Sequence, residues 1–304
     1  MNGTDDAKLK TTRCRSISSR LPLASRQFRV KLQNPRYWLY CLFVFGFGTA
    51  TMNGLMFAQA GNYTPGPEHP ILVFQWVMGL IGGFVAIFVG YNIVAGDRTS
   101  GRIRLLLKLP YTRSRYIAEK FLGEAAALVT FTTVAILGGF AVWTVVDSRP
   151  PLLASALFVG FTALYLLVWL SLSTAVSAVV RTGRRSVSIL VSLFFGMLFY
   201  WSKIVGPPIQ ADALFLDRLV PLNSYLAVTN WIAGLPNTHS WGTSVMEQVK
   251  ITNLVVTTVT IVPRVLDGAV PWYLSEWLSL VVLSLWGIIP LLIACRWFKT
   301  TDIA

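Results

Sequence analysis

The chain has 304 residues and a formal net charge of +13; 54% of its residues are hydrophobic, 13% are charged, and the mean hydropathy is +0.60. Soluble domains carry about 25% charged residues, so the composition excludes a soluble α/β enzyme. The positive charge does not indicate a nucleic-acid-binding protein, because the basic residues lie at the ends of long apolar runs and not along one polar surface. We expect no nucleic-acid partner.

The N-terminal 36 residues precede the first apolar run and divide into two parts. Residues 1–20 are polar and basic, which predicts a flexible cytoplasmic tail. The first apolar run begins far from Met1 and lacks a small-residue cleavage site, and both features argue against a secretory signal. From residue 21 to residue 36 the apolar side chains recur at helical spacing, which predicts an amphipathic helix on the inner membrane surface. A basic juxtamembrane linker is the alternative. The helix residues that we single out are Leu21, Ala24, Phe28, Arg29 and Leu32.

Six apolar runs are long enough to cross a hydrocarbon core, which needs about 20 apolar residues. They predict an all-α polytopic membrane protein with six transmembrane helices. The runs are 37–58, 71–95, 121–146, 152–180, 187–205 and 277–295.

Charge asymmetry predicts the orientation of these helices. Most of the 26 Lys and Arg residues lie in the N-terminal segment, in the loop after the second run, after the fourth run and after the sixth. By the positive-inside rule, both termini are then cytoplasmic. The long segment 206–276 becomes an extracytoplasmic region before the last helix, and within it the β-branched run Ile251–Val262 predicts a strand or a re-entrant piece.

Motifs for enzyme chemistry are missing from the sequence. Gly96 and Gly101 have the spacing of a phosphate-binding loop, but Arg102 and Ile103 follow where Lys and Ser or Thr are needed. His69 and His239 lie in predicted outer loops without metal-ligand spacing, which indicates structural or solvated histidines. We therefore predict no catalytic, cofactor-binding or metal-binding residue on this chain, and no enzyme activity of its own.

The predicted spans also lack a charge relay. No ionisable residue lies near the midplane of a predicted span. Inserting a charged side chain there costs about 2.5–3.5 kcal/mol, so such residues are kept mainly for function. We expect Glu124, at the inner end of the third span, to pair with Lys120 one turn earlier. An ion-driven carrier would need a buried carboxylate, so energy for transport has to come from another source.

The loop between the second and third spans, residues 96–120, is the most unusual segment. It is basic, has three consecutive leucines at its centre, and contains Pro110, after which Thr112 or Ser114 can cap a helix that leads into the third span. A short apolar element between a glycine and a proline suits a rigid contact with a partner. A helix resting on lipid headgroups is the alternative.

Several motifs of this chain resemble the type-2 ABC exporter permeases, and most closely the permease subgroup of the nitrous-oxide-reductase maturation exporter. The resemblance covers nearly the whole chain, with its strongest part in residues 96–123. It includes Phe28-Arg29 before the first span, the segment Pro221–Tyr225 and the ending Arg296–Ile303. The motif of the loop consists of Asp97-Arg98, Gly101, Leu105–Leu107, Pro110 with Arg113, and Lys120 with Gly123.

The resemblance implies a membrane subunit of a prokaryotic cell membrane that pairs with a second copy or a paralogue. It implies that a separate ABC ATP-binding subunit, which carries ATP and Mg²⁺, docks on the loop 96–120 and on the surface helix and drives alternating access. Membrane lipids are the other expected partner. The residues it assigns to the ATPase-coupling loop are Asp97, Arg98, Gly101, Ile103, Leu105, Leu106, Leu107, Pro110, Arg113 and Lys120.

Three positions depart from the family pattern: Gln27 replaces an acidic residue, Thr99 another, and Glu119 stands where glycine is frequent. Two other classes of function stay open from the residues alone. One is an ATP-independent carrier or channel, and the other is a membrane scaffold that transports nothing. The cargo is also open, since lipid, drug, polypeptide and a sulfur- or metal-linked compound all fit.

Overall fold

The structure, a computed structural model, describes residues 22–57, 66–102, 112–201, 204, 211–235, 238–240, 247–250, 256–261 and 270–300. The predicted tail 1–20 and the centre of the predicted coupling loop lie outside the described residues.

Eleven helices occupy most of the described part of the chain. Short π-helical and 3₁₀ turns, Met78–Gly82 and Trp272–Leu274, stand before α4 and α11 respectively. The helices are α1 Pro22–Leu32, α2 Pro35–Phe57, α3 His69–Val77, α4 Gly83–Gly90, α5 Ala95–Thr99, α6 Arg113–Val146, α7 Leu152–Val179, α8 Gly183–Phe199, α9 Ala211–Arg218, α10 Pro221–Ile232 and α11 Glu276–Thr300.

Four segments of the described chain are long and apolar enough to cross a membrane: His69–Thr99, Arg113–Val146, Leu152–Val179 and Glu276–Phe298. They coincide with the second, third, fourth and sixth predicted spans, so the chain is a helical integral membrane protein. Helices α2 and α8 occupy the first and fifth predicted positions. With 17 residues, α8 extends about 26 Å, somewhat less than a hydrocarbon core of about 30 Å. The count of six spans stays a prediction.

Helix α6 begins eight residues before the predicted start of the third span. Thr112 is its N-cap, and the Thr112 side chain accepts a hydrogen bond from the backbone N–H of Arg115 at 3.4 Å, one of the two caps that the sequence allowed. The helix has 34 residues and a length of about 51 Å. It exceeds the thickness of a membrane core, so its first turns form part of a polar structure beyond it.

Helix α7 is at the centre of the bundle and packs against α4, α6, α10 and α11. Its Phe158, Tyr165, Leu166 and Trp169 are almost fully buried. Close approach elsewhere depends on glycine: a Cβ on Gly139 of α6 would lie 2.3 Å from the Phe74 ring of α3. Phe74 is itself fully buried and packs edge-on against Phe140, with ring centroids 5.8 Å apart.

The predicted extracytoplasmic region 206–276 contains a helix that packs back into the bundle. Helix α10 is buried over most of its length and forms neutral hydrogen bonds with α3 and α7. Gln75 donates to Asn230 at 2.8 Å, Thr229 donates to Gln75 at 2.6 Å, and Thr162 and Tyr225 share a hydrogen bond of 2.9 Å. Sequence reasoning missed this packing, because Pro221–Tyr225 was recognised only as a motif.

The same region contains a small antiparallel sheet with strand order β1-β3-β2. The strands are β1 Thr238–Ser240, β2 Glu247–Lys250 and β3 Val256–Ile261. Strand β3 falls within the run Ile251–Val262, for which a strand was one of two predictions. The strand alternative for this run is thus observed, and the membrane-crossing part of the described chain is helical, as the all-α class predicts.

A buried arginine joins the same region to the start of α11. Arg218, the last residue of α9, is 2% exposed and donates to the carbonyl of Leu274. Burial lowers the pKa of Arg218 to about 10, and Glu276 opposes this shift. The guanidinium therefore stays charged at neutral pH.

Substitution of Gly139 by alanine tests the packing of α3 against α6. We expect Gly139→Ala to lower the free energy of unfolding by about 1–3 kcal/mol, because the buried Phe74 ring cannot move aside without displacing its neighbours. The matched control is Gly160→Ala on α7, where an added Cβ meets nothing within 4 Å and helix propensity favours alanine by up to about 1 kcal/mol. Thermal unfolding of the purified proteins in one detergent measures both, and equal melting temperatures would contradict the described packing.

Candidate functional site at the basic end of the bundle

Three elements converge at the end of the bundle that carries most of the positive charge: α1, the segment 95–102 that includes α5, and the first three turns of α6. We call this end the basic end. Charged and phenolic side chains of these elements and of the start of α2 form three groups of contacts, each of which includes residues from the start of α6. Together we call them the basal cluster. Its members are Lys31, Tyr37, Asp97, Arg98, Arg115, Tyr116, Glu119, Lys120 and Glu124.

Asp97 fastens α5 to α6. Its Oδ2 lies 2.6 Å from Lys120 Nζ and accepts a hydrogen bond of 2.5 Å from the Tyr116 hydroxyl. The side chains of Asp97 and Lys120 are 10% and 14% exposed, so water screens this pair weakly. Two residues from opposite ends of the loop motif thus meet directly.

Arg98 connects the same segment to α7 and α11. Its guanidinium donates to the carbonyl of Val180 at 3.4 Å and lies 5.4 Å from the ring centroid of Phe298. Phe298 is buried and stacks on Tyr116, with the rings 6.1 Å apart and inclined by 23°. Arg113 donates to the Phe298 carbonyl at 3.4 Å, so the last turns of α11 are fixed to both ends of the loop.

Backbone geometry fixes the segment before residue 103. Ser177 of α7 accepts hydrogen bonds from the N–H groups of Val94 and Ala95, both at 3.0 Å, and so satisfies donors at the start of α5. At its other end, Gly101 has a φ of 70°, in the left-handed region that glycine adopts without a steric cost. The glycine of the motif therefore sets the direction in which the chain leaves α5.

Glu119 caps α1 from a different helix. Its Oε2 accepts a hydrogen bond of 3.0 Å from the backbone N–H of Leu23, and its Oε1 lies 2.8 Å from Arg115 Nε. The carboxylate is fully buried, and it sits at the positive end of the α1 helix dipole. The departure from the family pattern at position 119 thus has a structural role here.

Glu124 does not pair with Lys120, and that prediction is wrong. Glu124 binds Lys31 of α1 at 2.9 Å and accepts a hydrogen bond of 2.7 Å from the Tyr37 hydroxyl. Lys120 binds Asp97 instead. An i−4 pair on one helix contributes only about 0.3–0.5 kcal/mol, so buried partners on neighbouring elements decide the pairing.

Gly123, the last residue of the motif, allows α1 to approach α6 closely. A Cβ at this position would lie 3.2 Å from the backbone carbonyl of Ala24 and 2.8 Å from Gln27 Oε1. Ala24 is buried, while Phe28 and Leu32 are partly buried against the main core and Arg29 is exposed. Leu21, the remaining predicted residue of the surface helix, lies outside the described residues.

The structure brings together half of the predicted coupling-loop residues. Asp97, Arg98, Gly101, Arg113 and Lys120 lie within or beside the basal cluster, although Arg113 and Lys120 belong to α6 and not to a loop. Ile103, Leu105, Leu106, Leu107 and Pro110 lie outside the described residues. Sequence reasoning missed the roles of Tyr116, Ser177 and Phe298, because each depends on contacts between elements distant in sequence.

A groove of about 520 Å³ opens between α1, α5 and α6. Four basic and two acidic side chains line it, together with one amide and two apolar side chains. The lining residues are Leu23, Arg26, Gln27, Val30, Lys31, Asp97, Arg102, Lys120 and Glu124.

Among the described residues, no group of three or more His, Cys, Asp and Glu side chains could hold a metal ion. His69 is not in a solvated loop: it is the first residue of α3, is 2% exposed and packs 4.8 Å from the Trp143 ring.

Comparison with known families matches a model described as ABC-2 family transporter protein to residues 19–303 of this chain. The matched range includes α1, the basal cluster, α10 and all four membrane-crossing segments. No curated protein matches the chain.

A double-mutant cycle measures the Asp97–Lys120 pair. We expect Asp97→Ala alone to cost about 3 kcal/mol of unfolding free energy, because it leaves the Lys120 charge partly buried without its partner. Combined with Lys120→Ala, the loss should be smaller than the sum of the two single losses by about 1–3 kcal/mol. Asp97→Ala combined with the exposed Arg184→Ala is the control and should be additive within about 0.5 kcal/mol. Additivity in the test pair would show that the contact does not stabilise the fold.

Proposed function

The chain belongs to the ABC-2 family of transporter proteins, whose members are membrane permeases without a nucleotide-binding domain of their own, and we propose that ATP hydrolysis on a separate subunit drives export through it. ABC-2 permeases normally work with an ATP-binding subunit. In this proposal ATP and Mg²⁺ bind to that subunit, a second permease copy or a paralogue completes the channel, and the chain lies in a prokaryotic cell membrane with both termini in the cytoplasm.

The observation that carries the proposal is the fixation of both ends of the segment 103–111. Before it, α5 is bound through Asp97 to α6 and through Ser177 to α7. After it, Thr112 caps α6, and Arg113 binds the end of α11. Because the elements on both sides of it are bound to the bundle, a displacement of α5 or of the start of α6 would be passed on to α7 and α11.

Helix α1 supplies a second point for such a force. Glu119 and Glu124 of α6 both bind it, and Gly123 brings the two helices into close contact. Closure of an ATPase dimer beneath the basic end would therefore tilt α6 through two contacts. Alternating access follows if the two nucleotide states of the ATPase bind with different affinity to the permease with α6 tilted and to the permease with α6 not tilted.

The residues of the basal cluster also support the resemblance to the nitrous-oxide-reductase maturation subgroup as a proposal. Its motif residues Asp97 of α5 and Lys120 of α6 bind each other, and Gly123 of α6 lies against α1. The cargo stays open within this proposal.

Leu106→Asp tests docking of the ATPase. We expect about tenfold less of a co-expressed ATP-binding partner subunit to co-purify with the variant, because a charge replaces an apolar contact of the proposed interface. Leu216→Asp is the matched control, since Leu216 is an exposed leucine of α9 at the opposite end of the bundle. Equal retention by wild type and both variants would remove the coupling assignment.

Cysteine labelling tests the orientation. In a background without the three native cysteines, Ser100→Cys and Arg149→Cys place thiols at exposed positions at the two ends of the bundle. A membrane-impermeant maleimide should label position 149 in intact cells and position 100 only after permeabilisation. The reverse pattern would place the basal cluster outside the cell and end the proposal.

A further inference from the structure

The groove between α1, α5 and α6 has an excess of positive charge that no carboxylate among the described residues neutralises. Its two carboxylates are already paired, Asp97 with Lys120 at 2.6 Å and Glu124 with Lys31 at 2.9 Å. The two remaining cations, Arg26 and Arg102, are exposed and form no ion pair within the described part of the chain. The groove therefore presents two guanidinium groups to an anion.

The position of the groove beside the exposed apolar start of α2 indicates where that anion comes from. Glu124, on its wall, binds Tyr37 at the start of α2. The next residues of α2, Trp38 and Leu39, are 48% and 64% exposed, and the Trp38 indole donates to the carbonyl of Leu32. Exposed tryptophan followed by exposed apolar side chains is typical of the boundary between headgroups and hydrocarbon.

Helix α6 shows the same boundary. Leu122, between the groove residues Lys120 and Glu124, is 44% exposed. Within the groove, Val30 is 55% exposed and lies on α1 between Arg26 and the break before α2. Cationic and apolar surface thus adjoin at the groove, the combination that suits a lipid with a charged headgroup and an acyl chain.

From this charge and this position we propose that the groove binds the headgroup of an anionic phospholipid of the inner leaflet, with its phosphate at Arg26 and Arg102. The proposal rests on the cytoplasmic placement of the basic end given above. It adds a binding site between α1 and the residues that follow α5. This site adjoins both places proposed to receive force from the ATPase, the segment 103–111 and α1. Guanidinium groups suit a phosphate because they donate two parallel hydrogen bonds.

An acidic segment of a partner protein is the competing occupant. It would approach from the aqueous side and would make no use of the apolar surface at Val30, Trp38 and Leu122. The position of the groove beside the hydrocarbon boundary favours the lipid.

Binding of short-chain lipid to the purified chain tests the proposal without the ATPase subunit. The probes are dioctanoyl-phosphatidylglycerol, dioctanoyl-phosphatidylcholine and inorganic phosphate, and the measurements are thermal stabilisation and retained lipid in native mass spectrometry. We expect the wild type to prefer phosphatidylglycerol over phosphatidylcholine. Arg26→Gln with Arg102→Gln should weaken that binding roughly 25-fold, a factor of about five for each arginine.

The control variant removes the same charge outside the groove. Arg29→Gln with Arg184→Gln changes two exposed arginines, one of them on α1 itself, and should leave the affinity within about twofold of the wild type. If both double variants lose affinity equally, the attraction is general and the site does not exist. If inorganic phosphate stabilises the chain as well as the lipid does, the anion is free phosphate and the lipid assignment is wrong.

A second groove variant keeps every charge. Val30→Trp fills the groove from an exposed position and should also weaken binding of phosphatidylglycerol, so the test stands even if the arginine variant does not fold. Unchanged lipid binding in this variant would overturn the proposal. Chemical modification of Arg26 and Arg102 gives a further check: if the ATPase subunit protects these two arginines from the reagent and the lipid does not, the proposal is also wrong. Because no ATPase takes part in lipid binding, failure here leaves the proposed function standing, and failure of co-purification leaves this site standing.

Discussion

The ion pair between Asp97 and Lys120 is the contact on which the basic end of this protein depends. It joins two residues that stand on either side of a segment of the chain, and it draws the Tyr116 hydroxyl onto the same carboxylate oxygen. Removing either charge would leave the other buried beside aromatic rings, where an unpaired ion is strongly unfavourable. The pair therefore stabilises one geometry of α5 on α6, and the other contacts of the cluster extend that geometry outward to α1, α7 and α11.

Charge at this end is arranged differently from charge in the membrane-crossing part. The carboxylates Asp97, Glu119 and Glu124 each have a basic partner, and all are at least nine-tenths buried. Polar contacts deeper in the bundle are neutral, as in Gln75 with Asn230. This division follows the cost of ions in hydrocarbon, which falls steeply toward the interface. Strong contacts are thus concentrated where a partner can reach them.

The sequence predicted the membrane-crossing segments well because apolar length is a local property. The helices at His69–Thr99 and Leu152–Val179 lie within a few residues of the predicted runs, and Thr112 caps α6 as its position before Arg113 allowed. Pairing was not predictable in the same way. Lys120 and Glu124 have helical spacing, yet each binds a residue on another element, and no local pattern shows that α1 and α5 both pack beside this part of α6.

Helix α10 escaped prediction for a related reason. Its residues are moderately polar, and their burial depends on partners such as Gln75 and Thr162 that are distant in sequence. The two features that the sequence did not predict, the pairing in the basal cluster and the packing of α10, involve the same segment of the chain. The segment His69–Thr99 carries Asp97 near one end and, closer to the other end, the π turn that contains Gly79. The Gly79 carbonyl accepts a hydrogen bond of 2.7 Å from Tyr165.

A π turn interrupts the regular ladder of backbone hydrogen bonds and so is a natural place for a long helix to bend. Gly79 lies in this turn, and a Cβ there would lie 2.7 Å from Leu222 of α10. The segment His69–Thr99 is thus bound to the basal cluster through Asp97 at one end and is in close contact with α10 at its π turn. For a permease driven from the basic end, this continuity matters more than any single contact, because a shift of α5 acts on the same helical segment that supports the buried helix at the opposite end.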